Sequence, residues 1–102
     1  MEITISGRHL EITPALRQHA QERAERLPHY YNLINAIEIT LDGSAGKMKR
    51  AEIVVGAEHK GRFVAHHDGD DLYGCIDQAF HKVQQQIAEH KKRYRNRKHP
   101  DE

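Results

Sequence analysis

Nine histidines, spread from His9 to His99, are the first side chains in this sequence that could bind a metal or transfer protons. Their spacing matches neither the HExxH helix motif nor a Cys/His zinc motif, and the single cysteine, Cys75, excludes a thiolate cluster. His66 and His67 are adjacent on an expected strand, so their side chains point to opposite faces. The pattern favours scattered surface histidines, and we expect no metal site and no cofactor.

Residues 68–71 (DGDD) are a second candidate, because they resemble the start of a cation-binding loop. The other ligands of an EF-hand loop do not follow, and a turn that leads into a helix capped by Asp70 and Asp71 explains the run better. The sequence also contains no GxSxG nucleophile motif and no phosphate-binding P-loop. We therefore predict that the protein is not an enzyme. A zinc- or histidine-dependent enzyme is the least favoured of the three functions that the sequence leaves open.

The basic residues are concentrated toward the end of the sequence. Residues 1–80 hold 9 Lys/Arg and 12 Asp/Glu, a balance of −3, whereas residues 81–102 hold 7 and 3, a balance of +4. Such asymmetry indicates a polyanionic partner, either nucleic acid or an anionic membrane surface. A solvated helix end, with its cations near the negative end of the helix dipole, explains the same charges and stays open as an alternative.

Two helices are expected to carry most of these charges. Apolar residues recur at three- and four-residue steps from Leu72 to Ile87, and no proline or glycine lies between Cys75 and Lys98, so residues 70–98 read as one long helix. At about 1.5 Å per residue this helix is longer than a typical strand, so its basic end should extend past the core. A shorter helix begins with Thr13 as N-cap, and we expect Pro28 to end it.

Four strands are predicted from alternating apolar and polar residues. They cover residues 1–7, 37–42, 50–55 and 62–66, with turns at residues 43–46 and 59–61. The order β-α-β-β-β-α makes the first two strands parallel and the rest an antiparallel meander. Because one sheet face is dry, both helices must cover it. We predict an α+β fold, a four-stranded mixed sheet with two helices on one face, as one domain over residues 1–98 with a short tail at 99–102.

A shared basic groove follows from this arrangement. A helical wheel places four polar residues along one flank of the long helix, beside its apolar stripe: Lys82, Gln86, Glu89 and Arg93. Arg23 and Arg26 lie on the first helix, where Arg23 is expected at the edge of the apolar stripe or snorkelling past it. If both helices cover one sheet face, the two sets line one groove suited to a phosphate backbone. Glu89 weakens this interpretation, and ordinary solvated charges are the alternative.

Two separated segments resemble a known family. Residues 7–13 (GRHLEIT) with 15–17 (ALR) are similar to the opening of the ribosome hibernation-promoting factors and ribosome-associated translation inhibitors. Residues 71–73 (DLY), 76–77 (ID), 81–83 (HKV), 86–87 (QI) and 90–91 (HK) look like the C-terminal helix of the same family. The resemblance covers about residues 1–95 and agrees with the inferred order of elements.

The resemblance implies a fold similar to a double-stranded-RNA-binding domain and a cytoplasmic protein that binds rRNA of the small ribosomal subunit. The binding place would be the channel of the mRNA and the A- and P-site tRNAs, where steric exclusion inhibits translation in stress or stationary phase. We expect a monomer off the ribosome, and a second ribosome-modulating factor stays open as a partner. The predicted rRNA-binding residues are Arg8, Arg23, Arg26, Lys82, Gln86, His90, Lys91, Arg93 and Arg95.

The chain also departs from the family. Gln85 and Glu89 stand where many relatives carry Lys or Arg, and the basic residues of 92–98 are expected to compensate further along the helix. Long family members add a second domain that pairs ribosomes, and we expect none here. The sequence opens directly on a strand pattern and has no apolar run of membrane-spanning length, so neither a signal peptide nor a membrane partner is expected. The alternative from another class is a protein-interaction module with an incidental basic helix end.

Overall fold

The computed structural model describes residues 1–58 and 61–98, with side chains up to residue 93 except that of residue 45. Its elements, in chain order, are β1 (Glu2–Arg8), α1 (Pro14–Tyr30), β2 (Ile34–Ala45), β3 (Met48–Ala57), β4 (Arg62–Gly69) and α2 (Leu72–Lys98). Most of the predicted turn at 59–61 and the predicted tail at 99–102 lie outside the described residues.

The four strands form one sheet in the order β1-β2-β3-β4. β1 is parallel to β2, with Ile3 opposite Ile37, whereas β2, β3 and β4 pair antiparallel. The helical connection between the first two strands accounts for their parallel pairing, since a tight turn can join only antiparallel neighbours. The predicted fold class, an α+β fold with a four-stranded mixed sheet and two helices, is confirmed.

The core lies between the sheet and the two helices. Alternate residues of the central strands, such as Ile39 and Ile53, are completely buried and meet the apolar stripe of α2 that includes Phe80 and Val83. α1 contacts β1 and β2, and α2 contacts β3 and β4. The helices therefore lie side by side on one sheet face, and α2 is placed over the edge strand β4.

α1 begins as predicted and ends later than predicted. The Thr13 hydroxyl accepts a hydrogen bond from the Leu16 N–H at 3.2 Å, and Pro14 occupies the first helical turn, where its missing N–H costs nothing. The prediction that Pro28 ends the helix was wrong, because the helix continues to Tyr30. Pro28 lacks one backbone N–H, but it lies in the last turn, where the Tyr31 N–H still donates to the Leu27 carbonyl at 3.0 Å.

The hairpin between β2 and β3 is also tighter than the predicted turn at 43–46. β2 continues to Ala45, and the turn is formed by Gly46 and Lys47. The Asp42 carboxylate accepts the Ser44 N–H at 2.8 Å, and the register shifts between Asp42 and Ala45. This irregularity lets pairing continue beyond Gly43, and Gly46, with a φ of +71°, then reverses the chain.

α2 has the length that the sequence predicts. Asp71 caps it, since its carboxylate accepts the Tyr73 N–H at 3.1 Å. Its 27 residues correspond to about 40 Å at 1.5 Å per residue, whereas β4 beneath it has 8 residues. Burial on the sheet ends at Ile87, and Lys91, Lys92 and Arg93 are exposed. Among the described residues, no helix combines the length and the apolarity needed to cross a membrane.

Candidate nucleic-acid interface

The two helices meet along a line of polar and aromatic side chains, which we call the seam. Its members come from both helices: His19, Arg23 and Tyr30 of α1, and Tyr73, Asp77 and Lys91 of α2. They face one another because α1 and α2 lie side by side on the same sheet face. Asp77 of α2 is therefore within 3.4 Å of His19 and Arg23 of α1.

Asp77 lies at the centre of the seam. His19 Nε2 is 2.8 Å from Asp77 Oδ1, and Arg23 Nε is 3.4 Å from the same oxygen. Arg23 Nη2 also donates to the Asp77 backbone carbonyl at 3.4 Å, and the guanidinium carbon lies 5.8 Å from the centre of the Phe80 ring. Arg23 was predicted at the edge of the apolar stripe, and this is confirmed, because its side chain is only 23% exposed.

Tyrosines lie at the two ends of the seam. The His19 and Tyr73 rings meet edge-on, with centroids 5.2 Å apart. At the other end, Lys91 Nζ donates to the Tyr30 carbonyl at 3.1 Å and lies 4.6 Å from the centre of the Tyr30 ring. This lysine satisfies a free carbonyl in the last turn of α1. Both tyrosines are 39% exposed, so the seam presents aromatic rings as well as cations, the combination on which unpaired bases stack.

Lys82 and Gln86 lie on the opposite flank of α2, over the free edge of β4. Lys82 Nζ donates to the His66 carbonyl at 2.9 Å, and Gln86 Nε2 donates to the Val64 carbonyl at 2.8 Å. The spacings match, since four helical residues rise about 6 Å and two strand residues about 6.6 Å. The prediction that these two residues share a groove with Arg23 and Arg26 was therefore wrong, because α2 lies between them.

The other predicted site residues occupy separate places on the helix side. His90 is half-buried, and its ring packs edge-on against Phe63 and Tyr31 with centroids 5.4 and 6.2 Å apart. Arg26 is exposed on α1, and among the described residues it has no ion pair or hydrogen bond. Arg93 lies 3.9 Å from Glu89 with both side chains largely exposed. The side chain of Arg95 lies outside the described part of the chain.

Arg8, the remaining predicted residue, belongs to a row of charges on the helix-free face of the sheet. Strand register places Arg8 opposite Asp42, Asp42 opposite Arg50, and Arg50 opposite Asp68. Arg50 forms two hydrogen bonds to Asp68, at 2.7 and 3.2 Å, which lower the pKa of this carboxyl and raise the pKa of the guanidinium. The hydrogen bonds from Ser44 lower the pKa of Asp42. This row alternates in sign, so it does not extend the basic helix surface.

Sequence reasoning missed four seam residues: His19, Tyr30, Tyr73 and Asp77. A signal was present, because His19, Arg23 and Tyr30 recur at steps of four and seven and therefore lie along one side of α1. Tyr73 and Asp77 are likewise four apart on α2. The sequence did not show that these residues meet, because the partners of Asp77 lie on the other helix.

The histidines show no metal-binding arrangement within the described residues. Across residues 1–58 and 61–98, no three His, Cys, Asp or Glu side chains are grouped closely enough to hold a metal ion. Cys75 is buried, and burial raises the pKa of its thiol.

A four-stranded mixed sheet under a layer of two helices, whose exposed side presents cations and tyrosines, defines a small α+β protein. The comparison with protein families is specific. Residues 3–95 match the family described as Sigma 54 modulation protein / S30EA ribosomal protein, and the chain belongs to this family.

Individual relatives agree with this assignment. The chain is 30% identical to the ribosome hibernation promoting factor of Azotobacter vinelandii over 95 residues, which cover 91% of this chain and 85% of the relative. The corresponding protein of Escherichia coli K12 is 29% identical over 91 residues, covering 89% and 94%. The family predicted from residues 7–17 and 71–91 is therefore confirmed.

Solved structures show the same fold. The N-terminal domain of Thermus thermophilus Protein Y has a TM-score of 0.75 and 34% identity, covering 85% of this chain and 96% of that domain. A ribosomal subunit interface protein from Coxiella burnetii has a TM-score of 0.80 and 25% identity, covering 89% and 98%. The chain thus spans nearly the whole length of both structures.

Proposed function

We propose that this protein is a ribosome hibernation factor that binds rRNA of the small subunit in the mRNA and A- and P-site tRNA channel. It inhibits translation there by steric exclusion in stress or stationary phase, without catalysing a reaction. Family membership and the names of the relatives, ribosome hibernation promoting factors and a ribosomal subunit interface protein, support the ribosome as the target.

The helix layer is the observation that carries this proposal. It brings Arg23 and Lys91 together with two half-exposed tyrosines along the seam, and it adds the exposed Arg26 beside them. Cations on rigid helices suit a phosphate backbone, and tyrosine rings suit unstacked bases, so folded rRNA matches this surface better than a smooth anionic membrane does.

The other predicted residues act in three ways in this proposal. Lys82 and Gln86 contact RNA from the β4 side of α2, with Arg93 and Arg95 further along the helix. His90 acts through packing, because its ring is held against Phe63. Arg8 reaches rRNA only where RNA bends around the edge of the sheet. The protein works in the cytoplasm and is a monomer away from the ribosome, and its likeness to a double-stranded-RNA-binding domain is part of this proposal.

A protein-interaction module is the second candidate, and the helix-free sheet face favours it. This face carries the exposed Val64 and the mixed charge row of Arg50 and Asp68. On this alternative, binding to ribosomes would depend on the sheet face and would vary little with salt. A second ribosome-modulating factor is one partner that such a surface could accept.

Co-sedimentation with purified small subunits tests the proposal. We expect binding that tRNA and mRNA compete away and that salt weakens, with each lost phosphate contact reducing the slope of log affinity against log salt by about 0.7–0.9. The combined variant Arg23→Ala/Arg26→Ala/Lys82→Ala should bind much more weakly while remaining folded. If binding survives both the removal of these three charges and high salt, the helix layer is not the RNA surface.

Sucrose gradients of whole ribosomes supply the second measurement. An inactive monosome peak, a dimer peak, or an unchanged profile distinguishes between two modes of hibernation and no effect on ribosomes. Treating the protein alone with a metal chelator, and removing the chelator before ribosomes are added, should change none of these profiles. Loss of binding by the chelator-treated protein would instead support a role for the histidines as metal ligands.

A further inference from the structure

Asp77 is an unusual residue for an RNA-binding surface, because its carboxylate carries the same sign of charge as phosphate. Its side chain is 47% exposed and lies at the centre of the seam. A carboxylate at this place repels the proposed ligand, so simple electrostatics predicts that the protein would bind RNA better without it. Its contacts with His19 and Arg23 indicate a role that offsets this repulsion.

The contacts of Asp77 all hold side chains of the other helix. Oδ1 is shared by His19 Nε2 at 2.8 Å and Arg23 Nε at 3.4 Å, and the backbone carbonyl of Asp77 accepts Arg23 Nη2 at 3.4 Å. His19 and Arg23 are one helical turn apart on α1, so a single residue of α2 fixes both. The Phe80 ring, 5.8 Å from the guanidinium carbon, supports the same side chain from below.

The guanidinium keeps donors for an external ligand after these contacts. An arginine has five N–H groups on three nitrogens. Here Nη2 donates to the Asp77 backbone carbonyl, and Nε lies 3.4 Å from Asp77 Oδ1 as an ion-pair contact, buried and without a hydrogen-bond partner among the described residues. Nη1 makes no hydrogen bond to any described residue, and the side chain is 23% exposed. These contacts favour one orientation of the Arg23 side chain before RNA arrives. A fixed arginine loses less conformational entropy on binding than one that is free to rotate.

We propose that Asp77 is a positioning residue that orients Arg23 and His19 toward phosphate in the seam. This inference rests on the proposed function, because it assumes that the seam meets rRNA. It makes a prediction opposite to that of charge alone: neutralising this carboxylate weakens RNA binding, although it removes a negative charge from a basic surface.

The test compares Asp77→Asn with Glu89→Gln in binding to purified small subunits over a range of salt concentrations. Both variants remove one carboxylate from α2, but the described partner of Glu89 is only the exposed Arg93, at 3.9 Å. We expect Asp77→Asn to weaken binding by about two- to tenfold, the cost of immobilising one flexible side chain on binding. Glu89→Gln should bind equally well or more tightly. Asp77→Asn binding as tightly as Glu89→Gln would overturn the proposal.

Three further measurements separate positioning from a general effect on folding. Asp77→Asn should lower the salt slope by about 0.7–0.9, corresponding to one lost phosphate contact. Asp77→Glu, which keeps the charge, should restore part of the affinity. In an Arg23→Ala background, Asp77→Asn should weaken binding less than it does in the wild type, since one of the two side chains that it orients is missing. An equal loss in both backgrounds would contradict the proposal.

A measurement without ribosomes keeps this inference separate from the proposed function. In 15N NMR spectra of the free protein, the Arg23 Nε–H signal should be distinct from those of exposed arginines and should move toward them in Asp77→Asn. An unchanged signal would overturn the positioning role. Failure of the wild-type protein to bind small subunits, with the Arg23 signal behaving as expected, would overturn the proposed function and the RNA part of this inference but confirm that Asp77 orients Arg23.

Discussion

Along α2, one flank faces α1 and the other faces the free edge of β4, and basic side chains occupy both. On the α1 side, Lys91 donates to the Tyr30 carbonyl at 3.1 Å at one end of the seam, and Asp77 contacts Arg23 nearer the other end. On the β4 side, Lys82 and Gln86 donate to two strand carbonyls at 2.9 and 2.8 Å. The flanks look alike on a helical wheel, yet they meet different chemical groups.

The difference shows that the neighbouring element decides what a basic side chain on a helix does. A free sheet edge presents carbonyls that otherwise bond water or another strand, so Lys82 and Gln86 protect the edge of β4. A neighbouring helix presents side chains and the last carbonyls of its own C-terminal turn. The seam therefore combines charge and aromatic surface, whereas the β4 flank combines charge and backbone protection.

Binding should show the largest contrast between the two flanks. Arg23→Ala/Lys91→Ala should weaken binding to small subunits about a hundredfold, because each variant removes one charge-assisted hydrogen bond worth about tenfold. Lys82→Met/Gln86→Met should cost less than about tenfold, since only one charge is lost. Titrations at one fixed salt concentration measure both values.

The two double variants also serve as each other's control, because each changes two residues of one helix layer. Equal losses would show that RNA spans both flanks of α2 and that the seam is not the main RNA contact. A larger loss from Lys82→Met/Gln86→Met would move the RNA surface to the β4 side.

For stability we expect the opposite: substitutions on the β4 flank should have a larger effect than substitutions in the seam, and this difference should be smaller than the difference in binding. Lys82→Ala/Gln86→Ala should lower the free energy of unfolding by about 1 kcal/mol, the low end of the range because both hydrogen bonds are exposed, and it should promote association through the uncovered strand edge. Urea unfolding and size-exclusion chromatography measure these effects. The buried Cys75 thiol is a native probe, because it should react with thiol reagents faster when α2 lifts from the sheet.

Gln85→Ala is the matched control, since Gln85 is exposed on α2 between the two edge residues. It should change the free energy of unfolding by no more than about 0.5 kcal/mol. If Lys82→Ala/Gln86→Ala is as stable and as monodisperse as this control, the hydrogen bonds to Val64 and His66 do not protect the edge.

Much of the fold could be predicted from the sequence because its signals are local. Alternation around Ile37 and Ile53 marks strands with one dry face, and the stripe that includes Phe80 marks the buried side of α2. The parallel pairing of β1 with β2 follows from the helix between them. The prediction that Pro28 ends α1 was wrong. Pro28 lies in the last turn, and the missing N–H does not prevent the next two residues from being helical.

The candidate site could be predicted only in part, because its geometry depends on contacts between elements. Periodicity shows that Lys82 lies beside the apolar stripe, but it does not show whether that side faces α1 or β4. The arrangement of α1 over β1 and β2, and of α2 over β3 and β4, decides this. Asp77 was overlooked for the same reason, since its partners His19 and Arg23 are more than fifty residues away in sequence.

The charge row on the helix-free face gives the smallest expected effect, and it tests whether either flank of α2 depends on that face. Arg50 lowers the pKa of the Asp68 carboxyl, so the folded protein holds this proton less tightly than the unfolded chain does. The stabilisation by this pair is therefore fully present above the ordinary pKa range of aspartate and is lost as pH falls through the lowered value.

Asp68→Asn should shift the urea midpoint slightly downward at pH 7, and the difference from wild type should vanish in acid. Glu38→Gln, an exposed carboxylate on the same face, should show no such pH-dependent difference. Binding to small subunits should be unchanged by Asp68→Asn, because the seam lies on the other side of the sheet; a loss of binding would show that RNA or a ribosomal protein also contacts the charge row.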